Sequence, residues 1–280
     1  MQAIHSNWTK PRTDACGSFF IEDFDKLTTV LSALKWREKN GTIKMATDCV
    51  GYAFYKDRDM LTLWDEVTTE LDDIPKSINA QQFWAAGKLF ALKNATAPVA
   101  VLDTDFIAWD RLAFDNLKDI TVIHREELYS DVYPDIHHFK MARGYIFNPD
   151  FDWRLKPANT AFYVMKSSAL KDMYTREAQE FMEYAQQGDS LTYMVFAEQR
   201  LLPMCANALG IHTNEFSSLE KLFLDGERYF THTWGMKKQM REDMSLRRDF
   251  CMRCANRIRS DFSEFVPMLK KIPEIKCYFT

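Results

Sequence analysis

Val99-Ala100-Val101-Leu102-Asp103-Thr104-Asp105 joins an uninterrupted apolar run to two acids one residue apart. A short apolar run without polar breaks suits a strand buried on both faces, as in the middle of a parallel sheet. Open α/β sheets bind their ligands beyond the carboxyl ends of such strands. Alternate residues of a strand point the same way, so Asp103 and Asp105 can share one side where the strand ends. Two hard oxygen donors suit Mg²⁺ or Mn²⁺ bridging to a phosphate. A strand followed by an Asp-rich turn is the plainer reading of the same residues.

On both sides of this stretch, helix and strand patterns alternate. Residues 2–6 read as a strand. Residues 20–38 place Phe20, Phe24, Leu27, Val30, Leu31 and Leu34 at helical spacing, and Asn40-Gly41 stops the helix. A strand over 42–47, a helix over 50–60, a strand over 63–67 and a helix over 78–94 lead into the apolar run. Downstream come strands over 119–124 and 161–165, a loop-rich stretch over 125–155, and helices over 167–187 and 190–209. Residues 240–272 read as mainly helical and basic. The alternation predicts an α/β domain over residues 1–239 and a helical extension over 240–280 packed on it.

The chain has 280 residues, 46% of them hydrophobic, and a formal net charge of -4. That excludes a disordered chain and argues against nucleic acid as a partner. No apolar stretch is long enough to span a membrane, and the first residues lack the pattern of a signal peptide. A cytoplasmic protein is expected. Cys16, Cys49, Cys205, Cys251, Cys254 and Cys277 then read as small hydrophobes rather than a disulfide framework. Cys251-Met-Arg-Cys254 has no second pair with which to bind zinc. Residues 232–280 carry eleven Lys and Arg against six Asp and Glu. Arg247, Arg248, Arg253, Arg257 and Arg259 interleave there with Phe250, Ile258, Phe262, Phe265 and Leu269. Such a helix either packs its apolar face on the domain or lies against an anionic membrane.

A second constellation is His232-Thr233-Trp234-Gly235-Met236-Lys237-Lys238. Its imidazole can complete a metal's ligand set. Gly235 permits close approach of a phosphate, and a lysine can neutralise a leaving diphosphate. An exposed loop with a solvated basic pair is the alternative. His124-Arg125-Glu126-Glu127 can line a cleft at the sheet's end. His137-His138 with Asp135 reads as surface, and Glu177, Glu180 and Glu183 as a solvated helix face.

Taken together, these segments resemble a GT-A fold nucleotide-sugar glycosyltransferase with the motif order of the retaining, glycogenin-like group. Lys88 stands where that group has a lysine in the helix before the DxD strand. Asp103 and Asp105 match the DxD. Asn159-Thr160-Ala161 approximates Asn-x-Gly, with Ala161 in the glycine position. Glu198-Gln199 approximates Asp-Gln, longer by one methylene. His232, Gly235 and Lys238 meet His-x-x-Gly-x-x-Lys. Segments such as Phe83-Trp84-Ala85-Ala86-Gly87-Lys88 also resemble a poorly characterised bacterial group of glycosyltransferase-like proteins.

The resemblance implies a Rossmann-like, mixed and mostly parallel sheet flanked by helices. It implies a metal-dependent hexosyltransferase using a nucleoside diphosphate sugar, above all a UDP-sugar, with retention favoured over inversion. Asp103, Asp105 and His232 would hold Mn²⁺ or Mg²⁺. Lys88, Asp103, Gly235 and Lys238 would face the donor's diphosphate. Trp8 would stack on the base or else fill the core, and Asp48 would contact base or ribose or else cap a turn. Glu198, Gln199 and Asn159 would act near the sugar. The acceptor would be a polysaccharide or a lipid-linked precursor, with peripheral membrane contact through the basic C-terminal helices. Two alternatives stand beside this reading. One is a nucleotidyl- or phosphotransferase using the same Asp pair, although no GxxxxGK[ST] phosphate loop is present. The other is a non-catalytic sugar- or nucleotide-binding module.

Overall fold

In the computed structural model the apolar run forms a strand whose alternate side chains enter two separate cores. The structure describes residues 1–13, 17–218, 220–221, 228–233 and 235–280; Cys16 and Trp234 lie outside the described residues. The strands are β1 (Ala3–Asn7), β2 (Ile43–Thr47), β3 (Glu66–Thr68), β4 (Val99–Leu102), β5 (Phe106–Ala108), β6 (Ile120–Val122), β7 (Phe162–Met165), β8 (Thr213–Glu215) and β9 (Phe230–His232). The main sheet runs β3-β2-β1-β4-β7-β6-β8, and β5 pairs with β9 apart from it. Neighbours are parallel except at β7, which is antiparallel to both β4 and β6. The sheet is therefore mixed and mostly parallel, as the alternation of elements predicts.

Ala100 and Leu102 of β4 face one core and Val99 and Val101 the other, and all four are buried. The first core lies under α1 (Asp23–Lys39), α2 (Cys49–Lys56) and the C-terminal helices. The second lies under α3 (Ala86–Asn94), α4 (Ser168–Tyr184), α5 (Ser190–Val195) and α6 (Leu201–Ala208). Between α5 and α6 the helix loosens into a π turn over Phe196–Arg200. Helix α3 starts at Ala86 rather than near residue 78. The Asn79 side chain accepts the N–H groups of Gln81 and Gln82 (2.9 and 3.2 Å), and this local turn diverts the backbone from helix. From β1, the chain builds β2 and β3 to one side and then β4 on the other. The crevice beyond the carboxyl ends of β1 and β4 is thus a topological switch point, where open sheets of this kind place their ligands.

The C-terminal residues form α7 (Met236–Glu242), α8 (Met244–Asp261) and α9 (Val266–Leu269). Phe250, Cys251, Cys254, Ala255 and Ile258 of α8 enter the same core as Phe24, Leu27 and Leu31 of α1. Arg247 pairs with Glu22 and Asp23 (both 2.7 Å), and Lys35 with Asp261 (2.5 Å). Burial pushes the Cys251 and Cys254 thiols up to about 12. Among the described residues, no helix is long and apolar enough to cross a membrane.

Candidate active site

Asp103 leaves the end of β4 with its N–H donating to Ala161 O (2.7 Å), and the Phe106 N–H closes back onto Asp103 O (2.9 Å). The turn keeps Asp103 partly open, its side chain 30% exposed, and sinks Asp105 to 4%. The chain then enters β5, whose antiparallel partner β9 sets Phe106 opposite His232. Phe106 stacks between Phe162 and Phe230 at 4.9 Å each, contacts worth about 0.5–1.5 kcal/mol apiece beyond their burial. This pairing brings an imidazole from 127 positions along the chain (105 to 232) to the acids.

His232 Nε2 lies 3.9 Å from Asp103 Oδ2 and 3.6 Å from Asp105 Oδ2. One ligand atom from each of the three residues lies within 4.8 Å of the others. A divalent ion with bonds of about 2.0–2.2 Å holds its ligands roughly 3–4 Å apart, so small rotations complete the set. Carboxylate, carboxylate and imidazole form a donor set that suits a divalent cation.

Two lysines reach the cluster. Lys237 Nζ sits 3.0 Å from Asp105 Oδ2 and 3.1 Å from Asp25 Oδ1. Lys88 Nζ lies 2.5 Å from Asp103 Oδ1, donates to Thr160 O (3.1 Å) and pairs with Glu198. Burial alone would raise the Asp105 carboxyl. The charges of His232 and Lys237 and the Thr233 hydroxyl outweigh it and hold the group well below the usual carboxylate range. Burial would likewise lower Lys88, but Asp103 and Glu198 hold its ammonium well above the ordinary value.

A sequence profile for a family of unknown function, DUF6734, matches residues 1–221. The chain belongs to DUF6734. No curated protein matches it. Mouse xyloside xylosyltransferase 1, apo form, is a structural neighbour at 13% identity and a TM-score of 0.40, covering 76% of this chain and 84% of that one. The PaToxG glycosyltransferase is another at 12% identity and a TM-score of 0.36, covering 75% and 78%. At such scores the likeness carries nothing about chemistry.

In this DUF6734 protein the crevice gathers most of the residues expected from sequence, in roles set by packing. Glu198 lies in the π turn, 3% exposed and bonded to Lys88. Gln199 follows it, its Oε1 accepting the Tyr133 hydroxyl (2.6 Å). Single π turns inside α-helices are frequent at functional sites. Asn159 donates to Glu126 Oε1 (2.8 Å) and accepts the Ala161 N–H (3.1 Å). A Cβ built on Gly235 meets nothing within 4 Å, so the protein's own packing leaves that glycine unexplained.

Three expected contacts fall elsewhere. Lys238 is 82% exposed and among the described residues reaches only Glu242, so the lysine that meets the acids is Lys237. Trp8 is buried against Gly87, 6% exposed, and offers no free ring face for a base. The Asp48 oxygens are taken by the Thr9 N–H and hydroxyl and by the Gly51 N–H (2.8–2.9 Å), which caps α2 and ties the loop after β1. Sequence reasoning also missed a buried chain of donors. Trp64 Nε1 donates to His5 Nδ1 (3.1 Å), His5 Nε2 meets Ser32 Oγ (2.9 Å), and Ser32 donates to Phe106 O. The donors fix His5 as a neutral imidazole protonated on Nε2. Its position opening the chain hid this role, because its partners lie 27 and 59 residues away.

Proposed function

We propose that this protein is a metal-dependent glycosyltransferase moving a sugar from a nucleoside diphosphate sugar, in the first place a UDP-sugar, to a carbohydrate or lipid-linked hydroxyl. The observation that supports this reading best is the meeting of Asp103, Asp105 and His232 with Lys237 at the switch point of a mostly parallel sheet. Glycosyl transfer builds negative charge on a departing diphosphate. A divalent ion held by the three side chains would stabilise that charge as a Lewis acid. Lys237 swings from Asp105 to the diphosphate oxygens and adds fixed positive charge close by. Lys88 pairs with Asp103 and orients it. Asn159 and Gln199, each held by a neighbour, position the sugar and its acceptor. Arg248 and Arg253 are exposed on α8 and suit a lipid-linked acceptor at an anionic surface.

The test is a thermal-shift series with Mn²⁺ plus UDP, Mn²⁺ plus ATP, each nucleotide alone and metal alone. A ligand that binds only the folded state must raise the melting temperature. UDP with Mn²⁺ should stabilise the protein, and Asp105→Asn should remove that gain while leaving a cooperative melt. No shift in the wild type with UDP and Mn²⁺ overturns the reading. A larger shift with ATP favours the nucleotidyltransferase alternative.

A further inference from the structure

Beyond β6 and ahead of β7 the two chain segments stay together past the end of the sheet. The Glu126 N–H donates to Pro157 O and the Asn159 N–H to His124 O (both 2.9 Å), with a bridge between Arg125 and Ala158. The same stretch continues to Ala161, whose carbonyl holds Asp103, and the Ala158 N–H donates to Gln199 O (2.9 Å). Backbone pairing therefore fixes Glu126 in the corner that Asp103, Asn159 and Gln199 share. Its Oε1 takes Asn159 Nδ2 (2.8 Å) and faces His124 Nε2 (3.1 Å). Its side chain is 15% exposed. Glu126 lies within electrostatic reach of His232 and of Tyr133, the donor to Gln199.

The other carboxylates of the crevice are already engaged. Asp103 and Asp105 face the cation position, Asp25 holds Lys237, and Glu198 is sealed under Lys88. Among the described residues, no lysine or arginine pairs with Glu126, and its Oε2 carries no hydrogen bond. Resting on the glycosyltransferase reading, we infer that Glu126 is the general base for the acceptor, with Asn159 and His124 holding Oε1 and Oε2 left for the incoming proton. Glu126 takes the proton of the acceptor hydroxyl. That oxygen forms its bond to the anomeric carbon. The bond from this carbon to the diphosphate oxygen breaks, and its electron pair leaves on the nucleoside diphosphate. Protonated Glu126 then returns the proton to water. A single displacement of this kind inverts the anomeric centre, opposite to the retention implied by the motif order. Burial would raise the Glu126 carboxyl, but His124 and Asn159 hold it below its usual value, which favours the carboxylate form.

Water serves as the test acceptor. Wild type, Glu126→Gln and Glu126→Asp are incubated with Mn²⁺ and the α-linked donors UDP-glucose, UDP-galactose and UDP-N-acetylglucosamine. UDP release is followed, and proton NMR reads the sugar's first-formed anomer. Positioned bases contribute about 10²–10⁴-fold, so Glu126→Gln should lose at least a hundredfold in rate while its UDP–Mn²⁺ thermal shift equals that of the wild type. Glu126→Asp, one methylene shorter, should keep the fold and part of the rate. The wild type should release the β anomer first. A Glu126→Gln rate within threefold of wild type, an α anomer first, or UDP–Mn²⁺ binding with no UDP release each overturn the assignment. No stabilisation of the wild type by UDP and Mn²⁺ overturns instead the reading on which it rests.

Discussion

Lys237 and Lys238 adjoin in sequence, yet successive residues of a helix point about 100° apart. Helix α7 can therefore aim one of them at Asp105, and it aims Lys237. Lys237→Met leaves the Asp105 and Asp25 carboxylates, 4% and 6% exposed, without their ammonium. Uncompensated buried charge costs about 3–5 kcal/mol. Urea unfolding without metal should show a loss of that order, and Mn²⁺ should restore part of it. Lys238→Met should stay within about 0.5 kcal/mol, as exposed sites do. Equal effects of the two substitutions would contradict the geometry. Motif spacing located the basic pair but not its reach, because the phase of a seven-residue helix is set by tertiary packing and not by local pattern.

At the scale of elements, β1, α1 and β5 are joined through the Trp64–His5–Ser32–Phe106 chain. Burial lowers the His5 imidazole from 6.5 to about 3, only partly offset by the charge of Asp105. Folded His5 thus stays neutral to about pH 3, whereas the unfolded imidazole gains a proton below 6.5. The unfolded state binds the extra proton across that window, so stability falls as pH falls, by about 1.4 kcal/mol per unit. His5→Gln should flatten the fall in unfolding free energy between pH 6 and pH 4 by roughly that slope. An unchanged slope would remove His5 as its source. The long elements were legible in the sequence because β1, β2, β4, β7, α1 and α4 carry apolar periodicity over four residues or more. Strands β5, β8 and β9, three residues each, are too short to show a period. His232 could be proposed as a ligand from its motif, but its seat beside Asp105 could not, since β9 finds β5 only through long-range pairing.

For the molecule as a whole, the family profile ends at residue 221, yet the core under α1 is closed by Phe250, Cys254, Ile258, Phe262, Leu269 and Phe279. A chain ending at residue 239 would expose that face and strip Lys35 of Asp261. It should fail to give a cooperative melt or a near-ultraviolet circular dichroism signal; a sharp transition would show that residues 1–239 stand alone. Arg247, Arg257 and Arg259 of the basic tail are bound to Glu22 and Asp23, to Asp261 and to Tyr278 O. Much of the charge that reads from sequence as a free basic surface is therefore internal fastening. Among the described residues, the ion pairs around the crevice link four carboxylates, Asp25, Asp103, Asp105 and Glu198, with two ammonium groups, Lys88 and Lys237. That leaves carboxylates in excess over ammonium groups, an imbalance that a divalent cation reduces. Such a crevice repels an anion until a cation offsets its charge, so entry is ordered: cation first, nucleotide second, and calorimetry with UDP in the presence of EDTA should register no heat of association.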